Sequence, residues 1–174
     1  MRGLINMAKA RIYVTTECLY ASGNHFGEWL ELNNYSNKKE FEIAFRALSQ
    51  TEEEPKMMIL FWQDIPKVLV STKDISAKVF RLIKAVLAFD KHKNSAFHLW
   101  LDRKSPEIFT YKSREILSFF DKAYQGYFPQ DEAFGRYYAK EFLAITDPEF
   151  DYISFAGQLF DKQFIRLKDY VFRQ

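Results

Sequence analysis

The chain has little cysteine, glycine, proline, histidine or net charge, and each shortage argues against a class of function. Cys18 is the sole cysteine. No disulfide can close within the chain, so a reducing compartment, the cytoplasm, is the expected setting. His25, His92 and His98 form no His-x-x-x-His pair and have no partner cysteine, so no zinc-ligand spacing exists. His98 reads as a packed or hydrogen-bonded histidine rather than a base. Six glycines leave little material for a phosphate cradle. No Gly-x-x-x-x-Gly-Lys, Gly-x-Gly-x-x-Gly or Gly-x-Ser-x-Gly occurs. Neighbouring carboxylates such as Asp131 and Glu132 face different ways on a helix and make no acid–base pair. These gaps argue against an enzyme, a metal or a cofactor. No stretch approaches the roughly 20 apolar residues that span a bilayer, and the start lacks the apolar centre of a signal peptide. Met7 is a candidate start, because regular patterning begins only near Arg11.

What is present is apolar and aromatic. Hydrophobic residues make up 48% of the 174 and aromatics 18%, with 18 Phe and 10 Tyr, enough to build a core dominated by rings. Arg11 to Tyr20 alternates as a strand, with Ile12, Val14 and Cys18 on one side. Ser22-Gly23-Asn24 supplies a turn, and Phe26 to Leu32 reads as the return strand of a hairpin. Asn37 with Glu40 makes a capping-box variant. Phe41, Ala44, Phe45 and Leu48 then share one helical face. Glu52 to Glu54 is a loop, and Met57 to Trp62 a buried strand.

Ser71 reads as the cap of a central helix, with Asp74 in its first turn and Ile75, Val79, Leu82, Ile83 and Val86 as its apolar stripe. Lys91-His92-Lys93-Asn94 reads as its end, with a short helix over 96–103 and further helix over 113–124. Gln125 to Pro129 looks turn-like. Asp131 is expected to cap a helix reaching Ile145, with Phe134, Tyr138 and Phe142 spaced by four. Thr146-Asp147-Pro148 stops it, Asp151 to Phe160 is a short helix with Asp151 as its cap, and Lys168-Asp169 turns a closing hairpin. The expected class is α+β in three small subdomains: 1–62 (antiparallel sheet plus helix), 63–112 (helical) and 113–174 (helices plus a small sheet).

Net charge is +2, unevenly spread: residues 61–110 carry nine cations and five carboxylates, whereas each flank carries one more carboxylate than cations. Lys78, Arg81 and Lys84 line one side of the central helix, with Lys91, Lys93, Arg103 and Lys104 following. A phosphate-binding patch is one reading. A solvated helix face is the other, and the small net charge favours it.

Three motifs carry a resemblance. Arg11-Ile12-Tyr13-Val14, Tyr20, Gly23 and Gly27-Glu28-Trp29 resemble the opening of ArdA antirestriction proteins, although Tyr20-Ala21-Ser22-Gly23 lacks that family's two turn asparagines. Phe120-Asp121-Lys122-Ala123-Tyr124-Gln125-Gly126-Tyr127 is similar to its Phe-x-x-Ala-Tyr-x-Gly segment. Tyr152-Ile153, Phe155-Ala156 and Leu159, followed by Tyr170-Val171-Phe172-Arg173, look like its closing helix and hairpin. Residues 55–110 match poorly. The resemblance implies an elongated three-part protein that dimerises through its C-terminal part. It also implies that the dimer mimics bent B-form DNA in the groove of Type I restriction–modification enzymes, without cofactor or turnover.

B-DNA presents about one charge per 1.7 Å of axis. That family is strongly acidic, and this chain is not, so mimicry here requires a local ridge. Asp121, Asp131, Glu132, Glu141, Asp147, Glu149 and Asp151 are the candidates, interrupted by Arg136 and Lys140. Two other readings differ in class. One keeps the fold but binds another host defence complex, such as a CRISPR effector, through Arg136, Tyr137 and Tyr138. The other is direct nucleic-acid binding through Lys78, Arg81 and Lys84, which ranks lower.

Overall fold

The computed structural model describes residues 4–49 and 52–174. The class is α+β, as the sequence leads one to expect. The chain divides into two compact units, Met1–Leu117 and Ser118–Gln174. Among the described residues no helix is long and apolar enough to cross a membrane.

The first unit holds a three-stranded antiparallel sheet in the order β2-β1-β3. Strand β1 (Arg11–Thr16) is central, between β2 (Glu28–Glu31) and β3 (Met57–Gln63). Order begins before Arg11, contrary to the sequence reading. Met7–Lys9 forms a 3-10 turn capped by the Asn6 side chain, and Met7 is fully buried. The expected run of strand to Tyr20 is also corrected. It stops at Thr16, whose hydroxyl caps the short helix α1 (Glu17–Ala21), and Cys18 lies exposed on that helix. A β-branched residue with a hydroxyl extends a strand and also offers a cap, and here the cap ends the strand. Gly23 adopts φ +80° in the turn that follows. The return strand is shorter than 26–32, because Gly27 crosses β1 closely; a Cβ there would lie 2.1 Å from the Val14 carbonyl oxygen.

Helix α2 (Lys38–Leu48) starts at the foreseen box: Asn37 Oδ1 accepts from Glu40 N–H at 3.0 Å and Glu40 Oε2 accepts from Ser36 N–H at 2.8 Å. Phe41 and Phe45 are buried, whereas Leu48 is exposed. Strand β3 is not the buried run expected; Ile59 is buried and Phe61 is exposed. As an edge strand it shows one face to the core and the other to water.

Helix α3 (Ala77–Ala88) begins at Ser76 rather than Ser71. Ser71 is used locally: its Oγ accepts from Asp74 N–H at 3.1 Å, and Val70 and Ile75 form an antiparallel bridge that precedes the helix. Asp74 is therefore outside the first turn. The stripe Val79, Leu82, Ile83 and Val86 is buried as expected. Lys91 to Asn94 does not end a helix but opens α4 (Lys91–Asp102), because Asp90 caps it through Lys93 N–H at 2.9 Å. The 96–103 segment is the second half of α4, which contributes Phe97 and Trp100 to the core.

Helix α5 (Ser113–Ala123) occupies the predicted place. In the second unit, 125–129 is not a simple turn. β4 (Tyr124–Tyr127) forms an edge of a sheet ordered β4-β6-β5, with β5 (Phe164–Leu167) and β6 (Tyr170–Arg173) as the foreseen hairpin. Helix α6 (Asp131–Leu143) is capped at Gln130, not Asp131, and ends before Ile145, with Ala144 left-handed at φ 56°. Helix α7 (Tyr152–Lys162) is capped by Asp151 as expected. The two helices approach closely at Gly135, where a Cβ would lie 2.2 Å from the Tyr152 carbonyl oxygen. Phe134, Leu159, Phe164 and Val171 form the core, with Phe128, Tyr138, Phe155 and Phe160 against it.

Candidate partner-binding surface

All seven carboxylates singled out in the sequence fall in the second unit, and all are exposed. That unit holds nine carboxylates and seven cations, net −2, while the rest of the chain carries +4. Charge of opposite sign is thus sorted between units, which the whole-chain value of +2 conceals.

The seven are not equivalent. Asp131 and Glu132 open α6, where carboxylates suit the helix dipole. Both meet arginines: Arg166 of β5 lies 2.5 Å from Asp131, and Arg136 lies 2.7 Å from Glu132 one helical turn on. Their charge is largely offset locally. Arg166 was not foreseen, because no local pattern links residues 35 positions apart. Helical rotation of about 100° per residue sets Glu132 and Glu141 on roughly opposite sides of α6, so these two cannot share a stripe.

Beyond Glu141 the picture changes. Asp147, Glu149 and Asp151 alternate along the segment between α6 and α7. Asp147 Oδ1 accepts from Glu149 N–H at 2.9 Å, and the Asp147 carbonyl accepts from the Tyr152 hydroxyl at 2.7 Å, so the segment is pinned from both ends. Asp151 accepts from the Ser154 backbone N–H at 3.0 Å and its hydroxyl at 2.7 Å. These bonds hold its carboxyl below the usual carboxylate range. Asp121 stands apart on α5.

The proposed aromatic anchors also differ. Arg136 packs over the Tyr152 ring at 4.2 Å as well as meeting Glu132. Tyr138 stacks among Phe134, Phe142 and Phe164 and serves the core. Tyr137 is the more exposed of the two tyrosines, lying against Phe128 at 5.1 Å. On the basic side, Lys78 Nζ donates to the Phe109 and Thr110 carbonyls at 2.5 and 3.4 Å, leaving Arg81 and Lys84 as the solvent-facing cations of α3. Lys104 lies over the Trp100 ring at 5.1 Å.

Among the described residues no group of three or more His, Cys, Asp or Glu could hold a metal ion. His98 is buried, and it accepts from Met7 N–H at Nε2 (2.9 Å). Its Nδ1 therefore carries the proton, donated to the Asn94 carbonyl at 2.8 Å. Burial lowers its pKa from the ordinary 6.5. It anchors Met7 in the 3-10 turn that precedes β1.

Fold and surface together define a small α+β protein whose distinguishing features are exposed charge and rings. The family model for antirestriction protein ArdA matches residues 12–170. The chain belongs to the ArdA antirestriction family. No curated protein matches the chain, and no solved structure does.

Proposed function

We propose that the protein is a non-catalytic, stoichiometric inhibitor of Type I restriction–modification enzymes, acting in the cytoplasm by presenting a local acidic ridge in place of DNA. The observation that carries this reading is the sorting of charge: every candidate carboxylate lies exposed in the one unit with net negative charge. Glu141, Asp147, Glu149 and Asp151 are the heart of the ridge. Asp131 and Glu132 are largely neutralised by Arg166 and Arg136 and contribute less. Screening confines such fields to roughly 8–10 Å at physiological salt, so a ridge of one sign can act despite cations elsewhere. An elongated arrangement in three parts (1–62, 63–112 and 113–174) and a homodimer joined through the C-terminal part belong to this proposal; small-angle scattering tests both. The direct experiment titrates the pure protein against cleavage and methylation by Type I enzymes. Loss of both at near-equal molar ratio supports the proposal, and untouched activity at large excess ends it.

A second reading is favoured by the exposed rings of Tyr137 and Phe142 at α6. Here the protein binds a different host defence complex through mixed aromatic and charged contacts. Capture of CRISPR effector subunits, with restriction subunits absent, would select it.

A further inference from the structure

Where β1 ends, segments of the first unit close around a cavity of about 250 Å³. Its inner wall includes Val14 of β1 and Phe45 of α2, both buried. Leu19 of α1, Phe26 and Leu48 of α2 form an apolar rim, with Phe26 83% and Leu48 47% exposed. The charged residues of the lining are Glu28 and Glu52, so the cavity joins apolar walls to negative charge and has no cation of its own.

The walls are held by the groups around the end of the strand. The Thr15 hydroxyl donates to the Phe26 carbonyl at 2.8 Å, and Phe26 N–H donates to Asn24 Oδ1 at 3.0 Å. Gly27 N–H donates to the Tyr13 hydroxyl at 2.9 Å. The Thr16 hydroxyl donates to Glu52 Oε1 and accepts from Leu19 N–H, which ties α1 to the acidic segment. Glu52 is half-buried, and among the described residues its Oε2 has no partner. Other carboxylates nearby are paired: Glu17 meets Lys73, Glu31 meets Arg11 and Glu42 meets Lys38. Among the described residues Glu28 and Glu52 meet no cation. Positions 12–55 carry three cations against eight carboxylates, so no local excess of lysine or arginine screens them.

We propose that this cavity receives an arginine side chain presented by a partner protein on an otherwise apolar segment. A half-buried carboxylate without a counter-charge loses hydration and gains nothing in return, and an incoming cation supplies what is missing. Arginine suits the place better than lysine. Its guanidinium is weakly hydrated, offers a planar fork to a carboxylate and lies well on a ring such as Phe26. Its methylene stem covers the apolar wall of Val14 and Phe45. The volume is below the roughly 300–1,000 Å³ of drug-sized pockets, which fits a single side chain. The exposed rim of Leu19, Phe26 and Leu48 would stay wet around a lone small cation, whereas apolar neighbours on a polypeptide cover it. The socket lies in the other unit from the acidic ridge and does not rest on the Type I reading.

Amide chemical shifts of the isotope-labelled full chain, titrated with the peptide acetyl-Ala-Leu-Arg-Leu-Ala-amide, test the proposal. The expected shifts fall on Thr16, Leu19, Phe26 and Leu48. The same peptide with citrulline, which keeps the shape of arginine without its charge, binds about tenfold more weakly. Glu52→Gln, whose amide oxygen still accepts from Thr16, weakens binding of the arginine peptide about tenfold. Phe26→Ala also weakens it, and the exposure of that ring means that the change leaves the core intact. Any of three results overturns the proposal: no shift at these residues at millimolar peptide, citrulline binding as tightly as arginine, or Glu52→Gln binding like the parent. Shifts confined to the second unit are a case of the first and would assign the cation to the exposed ridge.

Discussion

His98 shows how one buried side chain ties pH to stability. Its ring accepts the Met7 N–H and donates to the Asn94 carbonyl, an arrangement that only the neutral form satisfies. Protonation would set an N–H against an N–H, and burial already lowers the folded pKa from 6.5. Above that value both folded and unfolded states are neutral, and the group contributes nothing to pH dependence. Below it the unfolded chain takes up a proton that the folded chain refuses, so stability falls with pH until the lowered folded value is reached. Urea midpoints should drop between about pH 7.5 and about pH 5.5 by more in the parent than in His98→Gln. Equal drops would remove His98 as the cause. Gly135 makes the second prediction at this scale. A methyl group there meets the Tyr152 carbonyl, a backbone atom that cannot turn aside. Gly135→Ala should cost about 1–3 kcal/mol in denaturant unfolding as α6 and α7 are forced apart.

At the level of the element, termini separate what the sequence disclosed from what it did not. Asn37 with Glu40, Asp151 before α7 and the Lys168-Asp169 turn were legible because each signal is local and no neighbour competes for it. Asn37→Ala should therefore cost about 1 kcal/mol of stability, measured by thermal or denaturant melting. Ser71 and Ser76 present the same chemistry five residues apart. The choice between them rests on Ile75, which is fully buried in an extended bridge to Val70 and cannot enter the helix. Thr16 posed a similar ambiguity, since β-branching favours strand while its hydroxyl caps α1. Asp131 failed as a cap because Gln130 takes the extended cap conformation and Asp131 turns to Arg166, a partner that only the fold brings near. Strand β4 was missed because its pairing with β6 spans more than 40 residues, a distance that periodicity cannot see.

For the whole molecule, the candidate surface was half legible. Residue types and their crowding near the C-terminal end could be read directly. Which carboxylates are cancelled by arginine could not, and neither could the sorting of charge into one unit. That distinction yields a comparison within the site. Glu141→Lys with Glu149→Lys should weaken inhibition about tenfold. Asp131→Asn with Glu132→Gln should weaken it far less, because those two charges are already paired. Tyr13 and Trp29 stand in the sequence only as parts of a motif, and Phe61 in none; their alignment across the first sheet emerges from strand register, which no single segment contains.

The central claim is that a chain of net charge +2 still competes with DNA through one negative unit. The most direct measurement is displacement of a labelled duplex from a Type I enzyme by the purified protein. Release in proportion to added protein, blunted by salt and by Glu141→Lys with Glu149→Lys, is the predicted result. A duplex that stays bound while the protein is in large excess would contradict the account.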